Sequence, residues 1–99
     1  LRFSHLRRKP RLIMLGLESN FDFYREKLAP FNRYLKLVLL ELNAENVQTA
    51  AYDYRTRKID GVILPAYRQT GTLISYFEQG GLSYGENLFV AWMPGRGEW

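Results

Sequence analysis

Few residues of this chain have the types and spacing that catalysis needs. The 99-residue sequence has no cysteine and a single histidine, His5. A catalytic histidine needs a reacting partner group beside it, and the residues around His5 offer none. The glycines do not form a phosphate-binding loop followed by a helix, and the acids lack the spacing of a calcium loop. We therefore expect a protein that is not an enzyme and has no metal centre or cofactor.

Binding chemistry is better represented, because polar or aromatic residues follow three short apolar segments. They are Ser19 and Asn20, Asn43 and Asn46, and Ala66 and Tyr67. Ligands of open α/β sheets bind outside the carboxyl ends of the strands, where the N-terminus of a helix favours an anion or a carboxylate. These six positions are the predicted ligand-binding residues. The alternative for the polar ones is that they only cap helices.

The segments that would position these residues alternate between two patterns. Residues 11–17, 35–42 and 61–65 are short apolar runs, which are typical of strands buried on both faces. Between the first two runs, apolar residues recur every three or four positions, which predicts an amphipathic helix. Pro30 should kink or break that helix. A second helix is predicted over 47–58. Strands alternating with helices indicate a parallel sheet with right-handed crossovers.

The last third of the chain has a different pattern. Residues 73–77 and 88–93 are apolar and are separated by glycine-rich segments, so they predict two strands, or a short helix and a strand. The overall prediction is an α/β fold, a three-layer βαβαβ lobe whose sheet is mostly parallel, with a C-terminal strand pair. Residues 11–99 would form this single lobe, and residues 1–10 a basic arm or linker.

Positive charge is concentrated at the start of the chain. The first eleven residues contain five of the fourteen Lys and Arg residues and none of the ten Asp and Glu residues. The five are Arg2, Arg7, Arg8, Lys9 and Arg11. Such a cluster can bind nucleic acid or an acidic partner, and the alternative is a solvated linker. No apolar run approaches the ~20 residues that a membrane span requires, and no signal peptide is recognised.

Four segments together resemble the effector-binding domain of LysR-type transcriptional regulators, which has the type 2 periplasmic-binding-protein fold. Residues 11–17 are similar to its opening strand, and 28–42 to its first helix and second strand. Residues 57–64 resemble a strand that carries an acidic residue, here Asp60. Residues 86–94 resemble the strand that leads into the hinge between two lobes.

The resemblance implies a cytoplasmic protein of transcription regulation that binds a small-molecule effector. The effector would contact Ser19 or Asn20, Asn46, and Ala66 or Tyr67. The chain would correspond to the first lobe only, and DNA would be bound only by a domain that this chain does not contain. Unpaired strand edges make a homo-oligomer a further expectation. The alternative function is a small basic structural or RNA-associated subunit of a larger assembly, and a transporter's solute-binding protein is less favoured.

Overall fold

The computed structural model describes residues 8–91, which form a four-stranded sheet and three α-helices. Two short 3-10 turns span Glu18–Asn20 and Ala29–Arg33. In chain order the strands and α-helices are β1 (Arg11–Gly16), α1 (Phe21–Leu28), β2 (Lys36–Glu41), α2 (Ala44–Arg55), β3 (Gly61–Pro65), α3 (Thr70–Gln79) and β4 (Leu88–Ala91).

All neighbouring strands of the sheet are parallel, in the order β2-β1-β3-β4. In the register, Ile13 of β1 lies between Val38 of β2 and Val62 of β3. Val62 in turn pairs with Leu88 of β4. The chain thus alternates strands and helices through a parallel sheet, which confirms the predicted α/β class.

Helices cover both faces of the sheet, so the lobe has three layers. The larger core lies between the sheet and helices α2 and α3. Its buried members are Ile13, Leu15, Ala50, Ala51, Ile59, Val62, Leu64, Phe77, Leu82 and Leu88. On the opposite face, Tyr24 of α1 packs against Met14, with Phe23, Leu28 and Leu37 around them. The strand β1 contributes to both cores because its alternate side chains point to opposite faces.

The predicted break at Pro30 is confirmed. Helix α1 ends at Leu28, and the chain continues as the 29–33 turn, with Pro30 in its first positions. Proline has no amide hydrogen to give to the preceding turn of an α-helix, so the tighter turn takes over there. One consequence is that the apolar side chain of Phe31, which lies within this turn, is exposed to solvent.

Helix α2 begins at Ala44, three residues earlier than the predicted start at Val47, and ends at Arg55. Beyond its end, Arg57 has a φ of 65°. The Arg57 amide donates to the carbonyl of Tyr54, and the Lys58 amide donates to that of Asp53. This pair of bonds is the Schellman arrangement, whose left-handed residue is most often glycine.

Replacing Arg57 with glycine is expected to raise the free energy of unfolding by about 0.5–1 kcal/mol, because glycine adopts positive φ without steric cost. The carbonyl of Arg57 accepts a bond from the Arg11 guanidinium at 2.7 Å, and glycine retains that carbonyl. Urea unfolding of the two proteins measures the difference. The same substitution at Arg55, the last residue of α2, is the control and should destabilise by up to about 1 kcal/mol. An R57G protein less stable than the parent would contradict the argument.

The end of the chain corrects the prediction of a C-terminal strand pair. Residues 73–77 lie within α3, where the buried side chain of Phe77 and its half-buried neighbours Leu73 and Ile74 face the larger core. Their spacing of one and three residues places them on one side of a helix. Only β4 is a strand, and it is parallel to β3. The second of the two alternatives, a helix followed by a strand, is therefore the observed one.

Candidate functional site

The connections after β1 and β3 leave the sheet toward opposite faces. The chain passes from β1 to α1 on the side of the smaller core, and from β3 to α3 on the side of the larger one. Because β1 and β3 are neighbours, their carboxyl ends form the topological switch point of this sheet. Open α/β sheets bind ligands at such a topological switch point. We call residues 17–20 and 66–70 the switch crevice.

The β1 side of the switch crevice presents side chains that no other described residue engages. Leu17 is 58% exposed, an unusual degree for a residue that directly follows a buried strand. Asn20 occupies the N-cap position of α1, yet its side chain makes no capping bond. Ser19 and Asn20 are therefore close together at the crevice, and their side chains have no hydrogen-bond partner within residues 8–91.

The β3 side is held in place by backbone contacts. The amide of Ala66 donates to the carbonyl of Ala91, so this predicted site residue continues the pairing of β3 with β4. Thr70 donates its hydroxyl to the carbonyl of Pro65 at 2.6 Å and accepts the amide of Tyr67 at 2.7 Å. The Tyr67 side chain remains 40% exposed, and the burial of the rest raises the pKa of its hydroxyl above the ordinary value.

The first turn of α3 is the most favourable place for an anion. Helix geometry leaves the amides of Gly71 and Thr72 without an intrahelical acceptor, and no other described residue accepts from them. The space around Gly71 is open, since an added Cβ would meet no atom within 4 Å. Arg68 is exposed beside this turn, and the turn contains no acidic residue.

The other two helices differ from α3 in this respect. Asp22 lies in the first turn of α1 and Glu45 in that of α2. Each carboxylate already compensates the positive end of its own helix. Sequence reasoning missed Arg68, Thr70 and Gly71 as site residues because it did not settle that a helix begins there.

Asn43 and Asn46 are engaged at the start of α2. They follow β2, an edge strand that is separated from β3 by β1. Asn43 accepts the amide of Asn46 at 2.8 Å, and the Asn46 side chain donates to the carbonyl of Glu41 at 2.8 Å. These bonds cap α2 and attach its start to the end of β2, which agrees with the alternative that such residues serve as caps.

Three residues of the basic cluster at the start of the chain make contacts at the amino end of the sheet. Arg8 donates two hydrogen bonds to the Asp60 carboxylate, at 2.7 and 3.0 Å, and the Arg11 amide donates a third at 2.8 Å. The Lys9 ammonium donates to the carbonyl of Asn32 at 3.0 Å. The Arg8 hydrogen bonds are the main reason that the pKa of Asp60 is lowered.

Residues 8 to 10 are thus attached to the lobe by these contacts. Arg2 and Arg7, the other cations of the arm, and His5 lie outside the described residues. In the part of the chain that the structure describes, no three His, Asp or Glu side chains gather as they would around a metal ion. None of the helices within 8–91 has the length and apolarity to cross a bilayer. No known protein family, curated protein or solved structure matches this chain.

Proposed function

We propose that this chain is a binding lobe that holds a small anionic effector, such as a carboxylate, in the switch crevice. One observation carries the proposal. The crevice at the β1–β3 switch point is bordered by the first turn of α3, which has open amides, an adjacent Arg68 and no acidic residue. A helix N-terminus with these features favours negative charge.

Each side of the crevice has a separate role in this proposal. The amides of Gly71 and Thr72 and the Arg68 guanidinium bind the anionic group by charge-assisted hydrogen bonds. Ser19 and Asn20, on the β1 side, bind a second polar group of the same molecule. Leu17 and Tyr67 cover the apolar part of the ligand. Both residues are partly exposed to solvent in its absence.

The proposal extends to the family that the sequence resembles. The lobe would be the effector-binding part of a LysR-type transcriptional regulator in the cytoplasm, with DNA bound by a separate domain and with no catalytic step. Support for this identification comes from the resemblance itself and from the α/β fold, which fits a lobe of that kind. The binding proposal stands without it, because the binding proposal rests on the crevice alone.

Thermal unfolding in the presence of small dicarboxylates, aromatic carboxylates and inorganic phosphate tests the proposal. At least one of them should raise the melting temperature saturably, since a ligand that binds only the folded state stabilises it by about 2.7 kcal/mol at a hundred times its Kd. Changing Arg68 to glutamine should weaken that ligand about tenfold or more, as expected for a lost charged hydrogen bond.

The matched control is Arg55→Gln, which removes another exposed arginine that lies on α2, away from the crevice. It should leave ligand affinity unchanged. Equal weakening by the two variants would indicate an effect of net charge and contradict the proposed site. If no anion stabilised the protein and an oligonucleotide bound with a steep salt dependence, the RNA-associated alternative would replace the effector proposal.

A further inference from the structure

Strand β2 forms one edge of the sheet, and the outer backbone groups of its middle residues have no partner within residues 8–91. The amides of Lys36 and Leu42 donate to β1 and its flank, at Pro10 and Gly16. The backbone amides and carbonyls of successive residues in a strand point alternately toward its two sides in the plane of the sheet. The backbone groups of Lys36, Val38 and Leu40 therefore point toward β1. The amides and carbonyls of Leu37 and Leu39 therefore point outward, away from the sheet.

Both ends of this outer edge are closed by the chain itself. The Leu35 amide donates to the carbonyl of Phe31 at 3.0 Å. At the other end, the carbonyl of Glu41 accepts the Asn46 side chain at 2.8 Å. The open section is therefore short and defined, since Leu37 and Leu39 supply two donors and two acceptors.

The side chains of this edge do little to discourage pairing. Val38, in the middle of β2, is 52% exposed. Natural edge strands usually carry an inward charge, a proline or a bulge that prevents contact with another chain. β2 pairs with β1 without a bulge, has no proline, and has charges only at its two ends, Lys36 and Glu41.

The charges around β2 distinguish between the two possible directions of a second strand. Arg33 and Lys36 lie at its start, and Glu41 and Glu45 lie at or just beyond its end. An antiparallel copy of β2 would bring the basic start of one chain to the acidic end of the other. A parallel copy would bring like charges together, which is destabilising across neighbouring strands. The edge is thus complementary to itself in the antiparallel direction only.

We propose that two copies of this chain associate through antiparallel pairing of their β2 edges. In the proposed register, Leu37 of one copy exchanges hydrogen bonds with Leu39 of the other, and the reverse, while the two Val38 side chains meet at the two-fold axis. The four strands of each copy then continue into one eight-stranded sheet. A single strand edge buries a small area, so we expect a concentration-dependent dimer. The switch crevice plays no part in this association.

Cysteine crosslinking tests the register directly, because the chain has no cysteine of its own. Residues directly opposite in a non-hydrogen-bonded antiparallel pair have Cα atoms about 4.5 Å apart, within the range that a disulfide spans. Val38→Cys should therefore form a covalent dimer under mild oxidation. The control is Tyr84→Cys, a 57% exposed position beside β4, the opposite edge of the sheet, which should crosslink at least tenfold more slowly. Equal rates for the two variants would overturn the proposal.

Sedimentation of the full chain tests the association without a crosslink. The parent should shift toward the dimer as concentration rises, and Val38→Lys should remain monomeric while its circular dichroism spectrum is unchanged. Lys36→Glu should weaken the dimer about two- to threefold, because the charges at the ends of the edge are exposed and interact weakly. Adding Glu41→Lys should restore it by reversing both ends of the edge. A parent that is monomeric throughout, or a dimer that is unaffected by Val38→Lys, would overturn the proposal.

Discussion

Replacing Phe77 with alanine is expected to lower the free energy of unfolding by about 3–5 kcal/mol, the usual cost of a large aromatic deletion in a core. Phe77 is fully buried, with 0% exposure, and is the largest such side chain in the described part of the protein. It joins α3 to the core beneath β3 and β4, and its ring contacts that of Tyr76 edge to face at 5.4 Å. A cavity there would loosen the whole helix.

Urea unfolding at pH 7 measures this loss. Domains of this size have about 5–15 kcal/mol of stability, so the alanine variant could be largely unfolded. Phe77→Leu is the second variant, and it should remain folded with a loss smaller than that of alanine. The control is Tyr76→Ala, which removes the neighbouring but 41% exposed ring and should cost much less. Equal losses at the two positions would contradict the assignment of Phe77 to the core.

Replacing Asp60 with asparagine is expected to lower the free energy of unfolding at pH 7 by about 1–3 kcal/mol, because hydrogen bonds to charged groups are lost. The carboxylate accepts from Arg8 and from the Arg11 amide, and its side chain is only 12% exposed. These contacts hold residues 8–11 against the start of β3. Asparagine has one acceptor oxygen and no charge, so it loses one of the two Arg8 hydrogen bonds and the charge assistance of those that remain.

The effect of this substitution should depend on pH with a definite sign. The pKa of Asp60 lies below its ordinary value of 3.8, mainly because of the Arg8 hydrogen bonds. The ionised group therefore stabilises the folded state fully above 3.8, and this contribution disappears as the pH falls through the folded-state pKa. The parent and Asp60→Asn should differ at pH 7 and converge in acid. Asp22→Asn should show a smaller difference at pH 7 than Asp60→Asn, because the Asp22 carboxylate is fully exposed and solvent screens its contact with Arg25.

The alternation of strands and helices could be predicted from sequence because the strands are uniform apolar runs. Residues 11–16, 36–41 and 61–65 form β1, β2 and β3 within a residue or two of the predicted limits. The break at Pro30 was also predictable, since it follows from the lack of an amide. These features depend on the types of residues that are adjacent in the chain, so they can be predicted from the sequence alone.

The features that sequence reasoning missed depend on contacts between distant parts of the chain. By composition, residues 73–77 fit a strand or a helix equally well. The helix is the observed structure because it buries Phe77 against the sheet. The start of α2 at Ala44 depends on whether Asn43 caps the helix, which its side chain does. Arg8 was assigned to a basic arm or linker because its partner, Asp60, lies 52 residues away.

The candidate site was predicted only in part for the same reason. The carboxyl ends of the strands were identified correctly in sequence, but the order β2-β1-β3-β4 determines which of them border one crevice. That order places Ser19 and Asn20, which follow β1, and Tyr67, which follows β3, at the ends of neighbouring strands. Asn43 and Asn46 follow β2, which is not a neighbour of β3. The hydrophobic periodicity of a sequence does not reveal which strands are neighbours. The sequence alone therefore could not show which of the six predicted ligand-binding residues follow β1 or β3.

The strand order also has a consequence for how the chain can fold as it is synthesised. β1 is made first and lies between β2 and β3, and β4 adds to β3. Each strand made after β1 therefore finds a partner already made, and β1 itself is without a neighbour only until β2 emerges. Because unpaired edges and exposed apolar surface promote aggregation during folding, this order shortens the time that the apolar run of β1 spends without a neighbour.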